Sequence, residues 1–317
     1  MGEGPPRLPG REEELLLALR RRQRANGAFL ATPGWAPLAA GAWAAYALDR
    51  AGEVERVRAF HRWAAELIRR AGAERGEAAW LPLGYGPRAV RRAADLPGGR
   101  REWVRAGGAV GLWLWTLARH LAAEGAAAVP GRLARPVRQA VDGLLALVEE
   151  MEAAEEPPDR EAGGGAERAG RAAAWAAVYG GLNAMDRWFA IPPLAARLVD
   201  VWRKVQPAFE EVAAGEAPAD ARAPLLAAGF PFDVVDARGR SFLRLLARQG
   251  EEPLGGRQDA PGLALEAWLL ACLGRRDEAE LRWLRLAEMA PEPEAGLVAS
   301  ALTLLGLRAR PGVDGCP

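Results

Sequence analysis

The stretch that most constrains the fold of this chain runs from Asn26 to Gly52. Its first part, Gly27 to Pro33, is a turn with extended, apolar character, and its second part predicts a helix over about Pro37 to Arg50. That helix is apolar nearly all round, so it has no face that favours water and belongs in a protein interior. We therefore expect the other helices to pack around it.

The helices predicted in the rest of the chain are of two alternating types. Val54 to Ile68 carries an apolar residue every three or four positions, which makes one stripe on an otherwise polar helix. Ala106 to Glu124 is apolar on most sides, and Gly131 to Met151 is striped again. Helices buried on two sides beside helices buried on one side are typical of two concentric layers. Further helices are predicted over Glu12–Arg24, Glu167–Phe189, Pro193–Ala214, Gly239–Arg248, Pro261–Leu273, Asp277–Met289 and Ala295–Arg308.

The chain is predicted to be all-α, with about 11–12 helices in one domain. We predict a disordered leader over residues 1–10, a single helical domain over 11–310 and a flexible tail over 311–317. No fixed repeat is found, which argues against a regular solenoid, and no strand pattern persists beyond a few residues. Two long connections, 73–102 and 152–165, are rich in Gly, Pro and charged residues, and connections of that length are usually functional or disordered.

The charge and composition exclude several classes of partner. Basic minus acidic residues is 42 − 41 = +1, which gives no electrostatic case for binding nucleic acid or an anionic membrane. No apolar run reaches about 18 residues, so we expect no membrane span. The first ten residues contain no apolar segment typical of a signal peptide, and we expect the protein in the cytoplasm.

The cysteines and histidines predict neither a metal site nor a cofactor. The two cysteines, Cys272 and Cys316, lie in an apolar helix and near the chain end, and we expect no designed disulfide between them. The two histidines, His61 and His120, lie on separate helices with no partner nearby in sequence. Two cysteines and two distant histidines do not make a metal-ligand cluster without carboxylates.

Four segments carry a resemblance to a known family. They are N-G-A-F-L-A-T-P through A-W-A-A-Y-A-L-D-R-A-G, then V-G-L-W-L-W-T-L-A-R-H-L, then A-A-V-Y-G-G-L-N-A-M, and last the hairpin from Leu263 to Ala287 with its L-G-R-R-D-E-A turn. In order and spacing they resemble the catalytic domain of glycoside hydrolase family 15, the glucoamylase-like enzymes of the six-hairpin superfamily. The resemblance implies an (α/α)6 toroid over most of residues 26–308.

The residues that bind the terminal sugar in that family are replaced in this chain. The family's aromatic-x-Arg-Asp element corresponds to Leu38, Ala39 and Ala40. Its Gln-x-Asp element corresponds to W-V-R-A-G-G-A-V, where Arg105 is the single charge. The resemblance therefore implies a degenerate sugar site.

The catalytic carboxylates of the family are also altered. The general-acid loop reads P-D-R-E-A, which leaves Asp159 and Glu161 without the family's tryptophan and second glutamate. The region of the general base reads G-L-V-A-S-A-L, with Glu294 upstream. An inverting glycosidase needs two carboxyl groups about 6.5–9.5 Å apart. Position alone makes Glu161 the candidate acid and Glu294 the candidate base; the alternative is that both are solvated loop carboxylates.

The tryptophans divide into a loop set and a helix set. Trp35, Trp80 and Trp103 fall in loops that would meet at one mouth of a toroid, where they could stack on a sugar; plain packing is the alternative. Arg105 and Asp159 complete the candidate substrate-binding residues. The helix set is expected in the core because indole is large and mostly apolar; it comprises Trp43, Trp113, Trp115, Trp175 and Trp268.

Three functions are compatible with these observations. The first is a glucoamylase-like homologue of carbohydrate metabolism that is catalytically weak or inactive (a pseudoenzyme) and binds an oligosaccharide or glucoside. The second is an active, divergent inverting hydrolase of α-glucosides. The third is a non-catalytic helical interaction scaffold. The missing Arg-Asp and Glu-Glu pairs favour the first, and the sequence leaves the oligomeric state open.

Overall fold

A computed structural model of the protein describes residues 9–72, 81–86, 89–92, 100–153, 165–186, 188, 198–199, 201–203, 232, 260–289 and 296–308, and most of these residues are helical. Within these ranges there are nine helices of 12 to 24 residues. Their bounds are α1 (Pro9–Arg22), α2 (Leu38–Arg50), α3 (Val54–Gly72), α4 (Arg100–Ala123), α5 (Gly131–Ala153), α6 (Gly165–Asp186), α7 (Ala260–Cys272), α8 (Arg276–Met289) and α9 (Leu297–Arg308).

The helix bounds follow the sequence pattern closely, with one clear difference. α2 occupies the predicted range, whereas α4 begins six residues before the predicted Ala106. The first turn of α4 is polar, so the pattern of apolar residues does not show that the helix already begins there. Glu102 in this turn does suit the positive end of the helix dipole. The predicted helix over Gly239–Arg248 lies outside the described residues. Of the one over Pro193–Ala214, residues 198–199 and 201–203 are described and are helical.

Five of the helices form an inner layer. α2 packs against α4, α4 against α6, and α7 against α9, and α9 then packs against α2. The remaining helices lie outside this layer: α3 packs on α2, α5 on α3 and α4, α8 on α7, and α1 on α9. The contact of α9 with α2 brings the last inner helix against the first, and this two-layered arrangement confirms the predicted all-α toroid.

Three of the inner helices end in the same glycine motif. Gly52, Gly125 and Gly274 each follow an inner helix with a positive φ of 81°, 67° and 75°, a backbone conformation that favours glycine. After α2 the N–H of Glu53 donates to the Leu48 carbonyl at 2.9 Å, and an equivalent bond follows α4 and α7. This motif satisfies carbonyls at the helix end and turns the chain sharply. The next outer helix therefore starts within three to seven residues.

Most of the connections at the other end of the ring are longer. Each one leads from an outer helix to the start of an inner helix, so all of them meet the ring at the same end, which we call the mouth. They span residues 23–37, 73–99, 154–164 and 290–296. The mouth is therefore where this architecture has chain available to build a site.

A small antiparallel sheet lies at the mouth. It consists of β1 (Ala36–Pro37), β2 (Pro82–Tyr85) and β3 (Val90–Arg92) in that order, and it packs against α2, α3 and α4. The sequence analysis did not predict it, because strands of two to four residues are too short to show an alternating pattern. The sheet confirms, however, that part of the long connection after α3 is ordered.

Small residues bring α4 and α6 into close contact. A methyl group added at Gly111 would lie 2.3 Å from the carbonyl oxygen of Ala177, and one added at Gly181 would lie 2.3 Å from the carbonyl oxygen of Gly111. Gly108 similarly faces Ala174. The spacing of these two inner helices is therefore set by backbone against backbone, with no room for a side chain at Gly111.

One buried ion pair joins the inner and outer layers near the chain end. The Arg282 Nε donates to the Glu266 Oε1 at 2.8 Å, and the two side chains are 9% and 3% exposed. It links α7 to α8. Charges this deeply buried remain favourable only while both partners are present.

Two further sequence expectations can be compared with the described residues. Within them, no helix is long and apolar enough to cross a membrane. Cys272 is disulfide-bonded, so the expectation of unpaired cysteines is wrong. The sequence could not indicate this, because Cys272 ends an apolar helix and spacing alone does not show which thiols approach one another.

We expect the substitution Gly111→Ala to destabilise the protein by about 1–3 kcal/mol, because the added methyl group overlaps the backbone of α6. The control is Gly170→Ala on α6, where an added methyl group meets nothing within 4 Å and should stabilise the helix by up to about 1 kcal/mol. Urea unfolding of both variants measures the difference. Equal effects of the two substitutions would contradict the close packing of α4 on α6.

We expect Glu266→Leu to cost about 3–5 kcal/mol, since it leaves the Arg282 charge buried without its carboxylate. The double variant Glu266→Leu/Arg282→Met should be more stable than that single variant. Glu66→Gln, which breaks an exposed pair with Arg69, is the control and should cost less than about 1 kcal/mol. A double variant less stable than the single one would show that the pair is not the relevant interaction.

Candidate functional site

Aromatic side chains from three inner helices meet inside the ring. Trp43 and Tyr46 of α2, Trp115 of α4, Trp268 of α7 and Phe232 form what we call the central aromatic cluster. The Tyr46 ring centroid lies 4.7 Å from that of Trp115 and 5.8 Å from that of Trp268. Because α9 separates α2 from α7 around the ring, the contact between Tyr46 and Trp268 crosses the interior. The cluster therefore occupies the ring's axis.

The cluster is tightly packed. Trp43 lies 6.2 Å from Trp115, and Phe232 meets Trp115 edge-on at 5.4 Å. All five side chains are 3–8% exposed. Each such aromatic pair adds about 0.5–1.5 kcal/mol beyond the burial of its surface. The result is a rigid aromatic floor across the ring.

Tyr46 is the polar group at the middle of this floor. Burial raises the pKa of Tyr46 to about 12, while the positive charges of Arg50 and Arg119 act in the opposite direction and Asp49 acts weakly in the same direction as burial. The phenol therefore stays protonated at neutral pH and can donate a hydrogen bond. In the described part of the chain, no hydrogen bond of its hydroxyl group is recorded.

Two arginines lie near opposite ends of α4. The Arg119 guanidinium lies over the Trp115 ring, 5.6 Å from its centroid. Arg105 lies in the second turn of α4, toward the mouth, and its side chain is 69% exposed. Its Nη1 donates to the Glu102 Oε1 at 3.0 Å. The predicted substrate-binding Arg105 is thus at the mouth and forms a surface ion pair.

The structure describes two of the three loop tryptophans. Trp35 is half-buried just before β1, beside Gly84 and beneath the Arg91 guanidinium, which lies 5.3 Å from the ring centroid. Trp103 is half-buried in the first turn of α4 and packs against the core. Both lie at the mouth, but Trp103 is on a helix and not in the predicted loop, and the described residues show no contact between the two indoles.

The remaining predicted site residues lie outside the described residues. They are Trp80, Asp159, Glu161 and Glu294. The connection that carries Asp159 and Glu161 leads from α5 to α6, and the one that carries Glu294 leads from α8 to α9. Both connections thus leave and re-enter the described structure at the mouth. Their assignment as acid, base and binding residues stays a prediction.

The two histidines meet at the opposite end of the ring from the mouth. Their ring centroids are 5.4 Å apart, and the His120 Nδ1 lies 2.9 Å from the Asp49 Oδ1. The His120 Nε2 lies 3.5 Å from the Glu124 Oε2. His120 thus gains a partner from a distant helix. Sequence spacing gave no signal, because α2, α3 and α4 bring these residues together only in the folded ring.

His61 is buried and makes no hydrogen bond through either ring nitrogen. Burial and the adjacent His120 lower the pKa of His61 well below its usual value of about 6.5. The neutral imidazole is therefore the folded form. Within the described residues, no three His, Cys, Asp or Glu side chains are grouped so that they could hold a metal ion.

Comparison with known proteins identifies the fold. No protein-family model and no curated protein matches the chain. A solved wild-type glycosidase matches with a TM-score of 0.65 and 20% identity, over 94% of this chain and 95% of that chain. A tyrosine-to-phenylalanine variant of a glycosidase matches with a TM-score of 0.66 and 20% identity, over 95% and 97%. The chain therefore has the helical fold of solved glycosidases; membership of glycoside hydrolase family 15 stays a prediction.

We expect the free energy of unfolding to fall as the pH drops below about 6.5. In that range His61 of the unfolded chain binds a proton, whereas the buried His61 of the folded protein stays neutral. His61 can contribute up to about 1.4 kcal/mol per pH unit. His61→Phe should remove this contribution with little loss of stability at pH 8, since neither nitrogen has a partner to lose. Urea unfolding between pH 5 and 8 measures both slopes, and an unchanged slope in the variant would refute the assignment.

Proposed function

We propose that this protein is a glycosidase-fold protein of carbohydrate metabolism that binds a glucoside or oligosaccharide at the centre of its ring and hydrolyses it weakly or not at all. The observation that carries the proposal is the central aromatic cluster. It places the faces and edges of Trp43, Trp115 and Trp268 around the axis of a ring whose relatives in fold are glycosidases. Because the rings cover one another and are only 3–8% exposed, a sugar would rest on the edge of the cluster and not between its rings.

Weak catalysis is inferred from the charged groups near the cluster. An inverting glycosidase needs two carboxyl groups about 6.5–9.5 Å apart, one as acid and one as base. Of the charges in the described part that act on Tyr46, Asp49 is the single carboxylate, and it is bound to His120. Leu38, where the resembled family has a sugar-binding element, is fully buried. These features favour binding over turnover.

The active alternative keeps two of the predicted residues. Glu161 would protonate the leaving oxygen and Glu294 would activate water, with Trp35 and Trp103 at the mouth. What favours this alternative is that both glutamates lie on connections that join the ring at the mouth. The scaffold alternative is less favoured, because the described inner helices are buried and meet around a packed aromatic cluster, whereas a solenoid leaves one face of its helices open.

We expect maltose to quench the tryptophan fluorescence of the purified protein without measurable release of glucose from maltose or a nitrophenyl α-glucoside. Trp115→Leu should weaken maltose binding at least about tenfold, equivalent to about 1.4 kcal/mol. Trp63→Leu on the outer helix α3 removes an equally buried indole away from the axis and is the control, with unchanged affinity.

Two other outcomes would change the conclusion. Glucose release that Glu161→Gln abolishes would establish the active hydrolase. An absence of both quenching and turnover with a panel of glucosides would reject a carbohydrate role altogether.

A further inference from the structure

Arg119 is an arginine on the inner helix α4, and no acid among the described residues pairs with its guanidinium. The described part of the chain gives it no hydrogen bond and no ion pair, and its recorded contact is the stacking on Trp115. Many other arginines of the described surface, such as Arg58 and Arg69, are paired with glutamates. The N–H donors of Arg119 therefore remain available to a ligand.

The position of Arg119 directs its charge toward the ring's axis. A basic residue near a helix end can simply complement the helix dipole. Arg119, however, folds back over Trp115, one turn nearer the middle of α4, and its charge acts on the Tyr46 phenol inside the ring. The guanidinium therefore lies at the edge of the central aromatic cluster that is farther from the mouth, one helical turn beyond Trp115.

Tyr46 supplies a second donor beside it. Its phenol is held protonated by burial, and the described residues offer its hydroxyl no hydrogen-bond partner. The nearest balancing carboxylate, Asp49, is already engaged by His120 at 2.9 Å. Two donors next to a rigid aromatic floor, without an acid to occupy them, form a complementary surface for a negatively charged group.

We propose that Arg119 and the Tyr46 hydroxyl form the subsite for the carboxylate of an acidic sugar, such as a uronic acid, whose ring lies against the central aromatic cluster. A planar carboxylate matches the fork of N–H groups on arginine, and hydrogen bonds between charged partners are stronger than neutral ones. This inference rests on the proposed carbohydrate role and narrows it from neutral glucosides to their acidic counterparts.

The test compares methyl α-D-glucuronide with methyl α-D-glucoside, which differ only in a carboxylate against a hydroxymethyl group. Isothermal titration calorimetry at low salt should give the glucuronide at least about tenfold higher affinity. Arg119→Gln should abolish that preference, so that the two glycosides bind with equal affinity. Tyr46→Phe should weaken glucuronide binding several-fold. Arg62→Gln, an exposed arginine on the outer helix α3, removes the same charge elsewhere and should leave the preference intact.

A second variant covers the case in which Arg119→Gln does not fold. Arg119→Lys keeps the positive charge but loses the planar fork, and it should retain part of the preference. Two further ligands identify the group that is recognised: acetate carries a carboxylate without a sugar, and glucose 6-phosphate carries a phosphate on a sugar. Neither should bind as tightly as the glucuronide.

The outcomes distinguish this inference from the proposed function. Equal affinity for the two glycosides, or a preference that persists in Arg119→Gln, would overturn the acidic-sugar subsite and leave the carbohydrate role standing. Binding of neither glycoside, together with no response to maltose, would overturn both.

Discussion

The packing of the last inner helix, α9, against the first, α2, is the constraint on which the rest of the structure depends. It brings the end of the chain back against its first inner helix, so that α2 is covered by α9 as well as by α3 and α4. α2 can take this place because its residues from Ala40 to Leu48 carry no charge and are all buried. Arg308 reinforces the closure: its guanidinium donates to the Arg50 carbonyl oxygen at 3.0 Å and pairs with the Glu12 carboxylate at 2.5 Å.

The layered fold could be predicted from the sequence because burial leaves a direct mark on helix composition. α2 is apolar all round and lies inside, whereas α3 has one stripe that includes Phe60 and Ile68 and lies outside. The same reasoning missed the sheet, whose strands are too short for an alternating pattern, and the start of α4, where the polar turn around Glu102 is held by the dipole and not by burial.

The candidate site was predictable only in part. Burial of Trp43, Trp115 and Trp268 followed from their apolar helices, and the structure confirms it. Their meeting at the axis depends on which helices face each other across the ring, and no local pattern encodes that. The contact of His120 with Asp49 was hidden for the same reason. The predicted acid and base lie in connections whose lengths vary independently of the helices, so sequence position is still their main support.

The order of the inner helices along the chain has a consequence for biosynthesis. α2 is the first inner helix to leave the ribosome, but α9, which covers one flank of it, begins only at Leu297. During most of translation that side of α2 has no native neighbour, and an exposed apolar helix is prone to self-association. Contacts between such distant segments also form slowly. A nascent chain that ends before its final helix would therefore remain prone to aggregation and would depend on chaperones.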